Sequence, residues 1–438
     1  MRRCGIAALL LSLVVLLSGC SLDVESYLRP PIAEGEQQSI HAALDRYLGN
    51  ARYVLQYPSD GAYTSAFVVC DANGNPTDSA SAESAVVFYT LSSAPDNPHI
   101  HLLFRRDGVW ESIGDLDGFG NAILQIAFGD LDGDGIMEVI TGWNAYSGYA
   151  HHLVVLSAKG GLSVISDTFQ YTRFFVGNMM TDGRDDVVLV QIGGADDVTA
   201  TLIALDGNDL VAVDTVELDG SIRQFGSASL GKIKTGVPGM FIEAIKSTGV
   251  QVTELVYFDR DGLHAPFHET GNIIVDQTAR LCPLDARDID GDGYVEIPTA
   301  EPLNEYSASA DTPTSGWLTV WRRWNVATGH FAQTIYTVVN PVEGLYVELG
   351  ITDASRLTGD YNESLHLWTL YDTDGYQPIL RLRTGEIPAG EQDSYVLLLS
   401  AQDGLPPCYG FIDGVRMNEA DMRECVHRFV TREDGRLW

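Results

Sequence analysis

Two stretches of the chain place oxygen ligands at a spacing that could hold a hard cation. In "DLDGDGIME", Asp130, Asp132 and Asp134 alternate with other residues. Gly135, the carbonyl of Ile136 and Glu138 follow. "DIDGDGYVE" repeats the set as Asp288, Asp290, Asp292, Gly293, the carbonyl of Tyr294 and Glu296. Alternating carboxylates, a glycine for the sharp turn, then a carbonyl and a further acid is the ligand order of a calcium loop. Neither stretch holds a Cys or His that would favour zinc. The plainer alternative is an Asp/Gly turn without metal. Three acids within five residues repel one another unless a cation is present, and the arrangement occurs twice, so calcium is the expected cofactor.

The elements around these loops are strands. An EF-hand would need flanking helices and a last ligand at its twelfth position. Here Ile123–Phe128 precedes the first loop and Val139, Ile140 and Thr141 follow Glu138; β-branched and aromatic residues on both sides favour strands. From 99 to 191 the chain reads as short strands broken by Gly, Asp and Asn ("HIHLLFRR", "AILQIAFGD", "EVITGWN", "DVVLVQI"), with no helix between them.

The loop has degenerate copies. "VGNMMTDGRDDVVLV" keeps Asn178, Asp182 and Asp186 but has Met180 at the second ligand position. "SLGKIKTGVPGMFIEA" keeps the strand–glycine–strand frame with no acid before Glu243, and "CDANGNPTD" offers Asp71, Asn73 and Asn75 as a weaker, less charged site. The first positions are 71, 130, 178, 232 and 288, at intervals of 59, 48, 54 and 56 residues. About four short strands per interval predicts an all-β fold: a β-propeller of four-stranded blades. "GLYVELGITDA" and "SYVLLLSAQDG" are candidates for two more repeats. The expectation is about seven blades over 51–410, with six possible, and short N- and C-terminal helices at 39–50, capped by Ser39, and within 411–438, capped by Asn418.

"FGDLDGDGIMEVITG" and "ARDIDGDGYVEIPTA" resemble the FG-GAP/VCBS repeats of integrin-like propellers. The order of a lipobox-like "LSGC", "LRPP", a short helix and blades also resembles bacterial surface lipoproteins that carry VCBS repeats. The resemblance implies that calcium is structural, pinning the turn between strands. It implies that role for both loops, and puts it in doubt where Met180 and Lys232 stand.

The N-terminus suggests an address. Arg2 and Arg3 precede the apolar run Gly5–Leu17, which is too short for a membrane span with its flanks and reads as a secretory signal over 1–19. "LSGC" resembles the lipobox of bacterial lipoproteins, which implies cleavage before Cys20, acylation of Cys20 (a palmitate among the lipids) and attachment to the extracytoplasmic face of the cell membrane. Residues 20–38 then read as lipidated Cys and tether, stiffened by Pro30 and Pro31. The chain carries 60 acidic against 27 basic residues, a net charge of −33. Such acidity disfavours nucleic acid as a partner and suits a soluble extracellular surface.

Other candidates are less specific. Trp317 and Trp321 fall on one face of "SGWLTVWRRWN" and could stack on a sugar or peptide, though propellers also bury aromatics between sheets, which is the preferred reading. Asp115 and Asp117 lack the third acid and read as a turn. His151 and His152 point to opposite faces of a strand and suit a structural role. Cys408 and Cys425 are close enough in sequence to form a disulfide in an oxidising compartment, whereas Cys70 and Cys282 suit buried thiols. No G-x-S-x-G, H-E-x-x-H or P-loop is present. The sequence thus points to a lipid-anchored, monomeric, calcium-binding propeller that binds a glycan or surface protein. The alternative is a polysaccharide lyase or hydrolase built on the same scaffold.

Overall fold

The computed structural model describes residues 35–77, 82–145, 151–194, 196–207, 209–269, 274–281, 284–303, 316–349, 356–401 and 405–428. The signal segment, Cys20, most of the tether and Cys282 lie outside the described residues. Strands dominate, grouped into six antiparallel sheets.

The first sheet sets Tyr53–Leu55 and Phe67–Cys70 end to end along one edge of Ser84–Leu91, followed on its other edge by Ala94–Arg106 and then Val109–Asp117. The second runs Ala122–Gly129, Glu138–Asn144, His151–Ser157, Ser163–Tyr171, and the third Arg173–Gly177, Asp186–Ile192, Val198–Asp206, Asp209–Glu217. The fourth runs Ile222–Lys234, Val237–Lys246, Gln251–Asp259, Gly262–His264. The second, third and fourth are meanders in chain order. The fifth joins Glu296–Pro302, Trp317–Asn325, His330–Asn340 and Leu345–Leu349, with Val426–Arg428 added at its edge. The sixth contains Leu357–Asn362, Leu367–Asp372, Gln377–Thr384, Cys408–Phe411 and Tyr395–Leu399.

Burial explains the order within a sheet. The second strand of the third sheet reads "DVVLVQI" with Asp186 through Val190 all buried, so both its faces are covered and the sequence shows no alternation. The outer strand Asp209–Glu217 is mostly exposed. The core lies between successive sheets. Phe88, Ile100 and Leu102 of the first pack on Ile126, Val139 and Trp143 of the second, and Ile140 and Leu153 of the second on Val187 and Leu189 of the third. The third, fourth and fifth share one cluster, and Val338 and Val347 of the fifth meet Leu370 and Leu382 of the sixth. Serial face-to-face packing of successive sheets is the propeller-like arrangement expected from the repeats.

Three boundaries differ from the sequence reading. Helix α1 spans Gly35–Leu48, so the tether gives way to helix at 35, and Ser39 is not its cap: its hydroxyl donates to the carbonyl of Gly35 one turn back (3.1 Å). Ile40, Ala43 and Leu44 form its buried face, and Trp110 Nε1 donates to Glu36. After the short helix α2 (Pro266–Glu269), helix α3 spans Glu419–Cys425 and is capped by Asn418, as its sequence suggests. It ends there because Val426 starts a strand that pairs with Leu345–Leu349. A β-branched residue facing an open sheet edge gains more from the ladder than from another helical turn. Phe429, the next residue of the helical pattern, lies outside the described residues. Lys232, aligned with the first ligand position, lies inside a strand, and the turn is the tight Thr235–Gly236 pair with Gly236 at φ 74°.

Candidate metal loops and central cavity

The two loops fold alike. Asp130 turns back on its own backbone: Oδ1 accepts from Gly133 N (2.9 Å) and Oδ2 from Gly135 N (3.0 Å). Asp288 repeats both contacts with Gly291 N and Gly293 N (2.7 Å each). Gly133, Gly135, Gly291 and Gly293 all have φ between 76° and 86°, a left-handed conformation that side-chain-bearing residues rarely adopt. The third acids accept from the seventh-position amides, Asp134 from Ile136 N (2.8 Å) and Asp292 from Tyr294 N (2.9 Å). The closing glutamates are buried at the start of the next strand. Glu138 accepts from Leu131 N (2.9 Å) and Glu296 from Ile289 N (3.2 Å).

These folds gather carboxylate oxygens. Asp130, Asp132 and Glu138 each offer one oxygen within 4.8 Å of the others, and so do Asp288, Asp290 and Glu296. Burial pushes Glu138 up to about 7, with Asp132 and Asp134 adding repulsion against the partial relief from Leu131 N. The donor set is all oxygen and suits a hard divalent cation. The carbonyls of Ile136 and Tyr294 complete the sequence pattern.

The loops differ in their cationic neighbours. Asp134 pairs with the exposed Lys159. Asp292 instead pairs with Arg323 (2.8 Å), whose guanidinium also binds Glu296 (2.7 Å). The spacing of the acids could not reveal Arg323. It comes from the adjacent strand, where Glu296 stands directly opposite it in the ladder.

The degenerate copies close without this cluster. Asp71 accepts from the backbone of Asn73 (2.8 Å) and Asn75 (3.0 Å) and from the Asn75 amide, so one acid is satisfied locally. Asp186 occupies the place of Glu138 and accepts from Met179 N and Met180 N (2.9 Å each); burial raises it to about 6. Asp182 pairs with Arg184. The loops also link sheet to sheet: Met137 N donates to Asn73 O (2.7 Å), Asp185 N to Asp130 O (2.8 Å) and Lys232 N to Gly293 O (2.8 Å).

Trp321 is fully buried, and its Nε1 donates to Thr337 Oγ1 (2.9 Å), so it cannot stack on a ligand. Trp317 is half-buried against Leu284 and Val339. Trp321 is a packing residue. Cys408 and Cys425 are free thiols and make no disulfide. Cys408 is buried in its strand, and the Cys425 thiol donates to Met417 Sδ (3.4 Å); burial pushes them up to about 12 and about 11. Cys70 is a buried free thiol, as expected. Asp115 lies in a strand and not in a turn, accepting from Tyr89 (2.9 Å) and bonding His101 (2.9 Å). The period-two "HIH" that puts His99 and His101 on one face was the available signal.

The first strands of the second, third and fourth sheets line an open recess of about 960 Å³ through segments 125–128, 173–176 and 224–230, together with segments 59–64 and 285–288, Glu243 and Gln251. Arg173 reaches across it to Asp60 (2.7 Å), and Gln125 anchors to Phe174 O (2.6 Å). Gln251 bridges Glu243 (2.9 Å) and Asp285 (3.1 Å), and Ser227 donates to Asp285 (2.5 Å). Behind the wall Glu243 is paired with buried Arg280; burial holds its carboxyl above the usual range against the pull of Arg280.

No known protein family and no curated protein matches the chain. Solved structures that resemble it include a rhamnogalacturonan lyase of Bacillus licheniformis (14% identity, 74% of this chain and 71% of that one, TM-score 0.31). An exotype rhamnogalacturonan lyase shows 15% identity over 81% and 82%, with TM-score 0.30. The periplasmic gluconolactonase of Pseudomonas aeruginosa shows 10% identity over 66% and 96%, with TM-score 0.24. Superposition at these scores is loose, and the functional reading rests on the site.

Proposed function

We propose that this chain is an extracytoplasmic, calcium-stabilised, propeller-like binding module that takes a glycan in its central cavity and acts as a monomer tethered to the membrane through acylated Cys20. The cavity carries the reading. It is concave, within the size range of small-ligand sites, and lined by the hydrogen-bonding groups of Asp60, Gln125, Arg173 and Asp285 with Tyr63 and Phe175 among them. Polar side chains beside aromatic ones suit a sugar, with hydroxyls at its rim and C–H groups on its faces. A flat protein partner would not use such a recess. The all-oxygen loops support calcium, and the lipobox-like "LSGC" and acidic charge support the address.

An array of glycans probed with the purified protein tests the ligand. Binding that Asp60→Asn weakens at least tenfold, in a variant with unchanged melting, is the expected result, since the Asp60 carboxylate lines the cavity and is half-exposed; a blank array sinks the glycan. Replacing Cys20 by Ser should move the protein from the membrane to the soluble fraction.

One observation favours a polysaccharide-cleaving alternative: the carboxylates of Glu243 and Asp285 lie at the cavity wall, joined by Gln251. Glu243 is held by Arg280, Thr253, Gln251 and Ala286 N, which leaves it poorly placed to pass a proton to substrate. Reducing ends or unsaturated products from a polysaccharide panel, lost in Asp285→Asn, would establish the enzyme instead.

A further inference from the structure

The two acid loops share backbone geometry, yet one already contains a cation. Arg323 Nη2 lies 2.8 Å from Asp292, 2.7 Å from Glu296 and 3.9 Å from Asp290, and its Nε donates to Glu296 Oε1 at 3.0 Å. The guanidinium also sits 4.5 Å from the Tyr294 ring centroid. One planar cation thus meets three of the loop's four carboxylates, two of them at hydrogen-bond distance, with Glu296 fully buried beneath it. Charge-assisted bonds of this kind are the strong ones, and Arg cannot relieve crowding by losing its proton.

Nothing comparable occupies the first loop. There the neighbouring strand pairs Leu156 with Val139 and ends at the uncharged Ser157. The only ion pair to the loop acids among the described residues is Asp134 with Lys159, whose side chain is 61% exposed. Such a surface lysine yields to a divalent ion at small cost, and among the described residues it makes no ion pair with Asp130, Asp132 or Glu138.

We infer that Arg323 takes the place of the metal in the 288–296 loop, leaving the 130–138 loop as the calcium site of the chain. The two-loop pattern is therefore one metal clasp and one arginine clasp, each doing the same structural job. This rests on the calcium reading above.

Calorimetric titration of calcium into the purified full chain tests it. The expected stoichiometry is one, abolished by Asp130→Ala and kept by Asp288→Ala. Arg323→Met should raise it to two, and adding Asp288→Ala to that variant should return it to one. Terbium in place of calcium gives a site-specific readout, because Tyr294 lies at the seventh position of the second loop and Ile136 at that of the first. Tyrosine-sensitised emission should rise in Arg323→Met. Two wild-type sites within tenfold in affinity, one removed by Asp288→Ala, would overturn the inference. So would a folded Arg323→Met that gains no site. If Arg323→Met does not fold, the comparison of Asp130→Ala with Asp288→Ala decides. No binding to wild type would defeat the calcium reading itself, and the arginine clasp would then stand or fall on the gain in Arg323→Met.

Discussion

Glu254 is the residue whose chemistry is most exposed to experiment. It is fully buried in the strand Gln251–Asp259, one oxygen accepts from Asp219 N (3.0 Å), and the other has no hydrogen-bond partner. Burial pushes it up to about 7, well above an ordinary glutamate. The sign follows from linkage. Above the unfolded value the unfolded chain releases its proton while the native state still holds one, so stability is full below about pH 4 and is lost as pH rises through 7. The loss from this one group is on the order of 3 kcal/mol by pH 8. Glu254→Gln should therefore be close to wild type in urea melts at pH 5 and more stable at pH 8. An unchanged pH slope in the variant would show that Glu254 is solvated or paired. Nothing in "QVTELVYFD" announced this group, since a glutamate within a strand reads as a solvent-facing residue. The acid loops were legible because their chemistry is local. Arg323 was not, because the acids it touches lie across a ladder.

At the scale of elements, local pattern located most strands and misjudged those set by partners. Strands from 122 to 192 follow the β-branched runs because loop and strand signals alternate there. The strand Val426–Arg428 follows no local pattern: its helical spacing lost to an edge offered by Leu345–Leu349. The Cys408–Cys425 pairing failed for a related reason, as the strand and the helix place each thiol in its own apolar contact. Glycines at sheet interfaces carry a similar non-local meaning. A Cβ at Gly142 would fall 1.9 Å from the hydroxyl of Tyr171 at the end of the same sheet's outer strand, with Phe174 of the third sheet 3.0 Å away, so these two rings close over the strand only because it lacks a side chain there. Gly142→Ala should cost about 1–3 kcal/mol in chemical denaturation. The nearest clash is the hydroxyl, so adding Tyr171→Phe should recover part of the loss, a positive coupling in the double-mutant cycle. Strict additivity would mean that the sheets adjust without regard to Tyr171.

For the whole molecule the decisive question is how calcium acts on a chain with 60 acidic and 27 basic residues. Any salt reduces the self-repulsion of so acidic a chain, and a rise in Tm with calcium chloride alone would not distinguish a site from screening. A site gives a different concentration dependence. Binding to the native state alone stabilises by RT ln(1 + [L]/Kd), about 2.7 kcal/mol at a hundredfold excess over Kd, and the rise starts near Kd. Screening follows ionic strength and is equal for sodium at matched strength. Magnesium separates the cases further, since it demands a tight octahedral shell and dehydrates reluctantly, whereas calcium accepts a larger, irregular oxygen set such as the carboxylates of the 130–138 loop with the Ile136 carbonyl. Melts of wild type in matched ionic strengths of sodium, magnesium and calcium chloride should show calcium alone raising Tm beyond the common baseline. Asp130→Ala should erase that increment and leave the baseline response untouched. Since the Asp130 carbonyl also receives Asp185 N from the third sheet, the gain should appear as one cooperative transition, with the second and third sheets melting together and not as a separate loop. Equal rises in all three salts would reduce the loops to acidic turns and leave the alternation of sheets and interlocking turns to hold the molecule without metal.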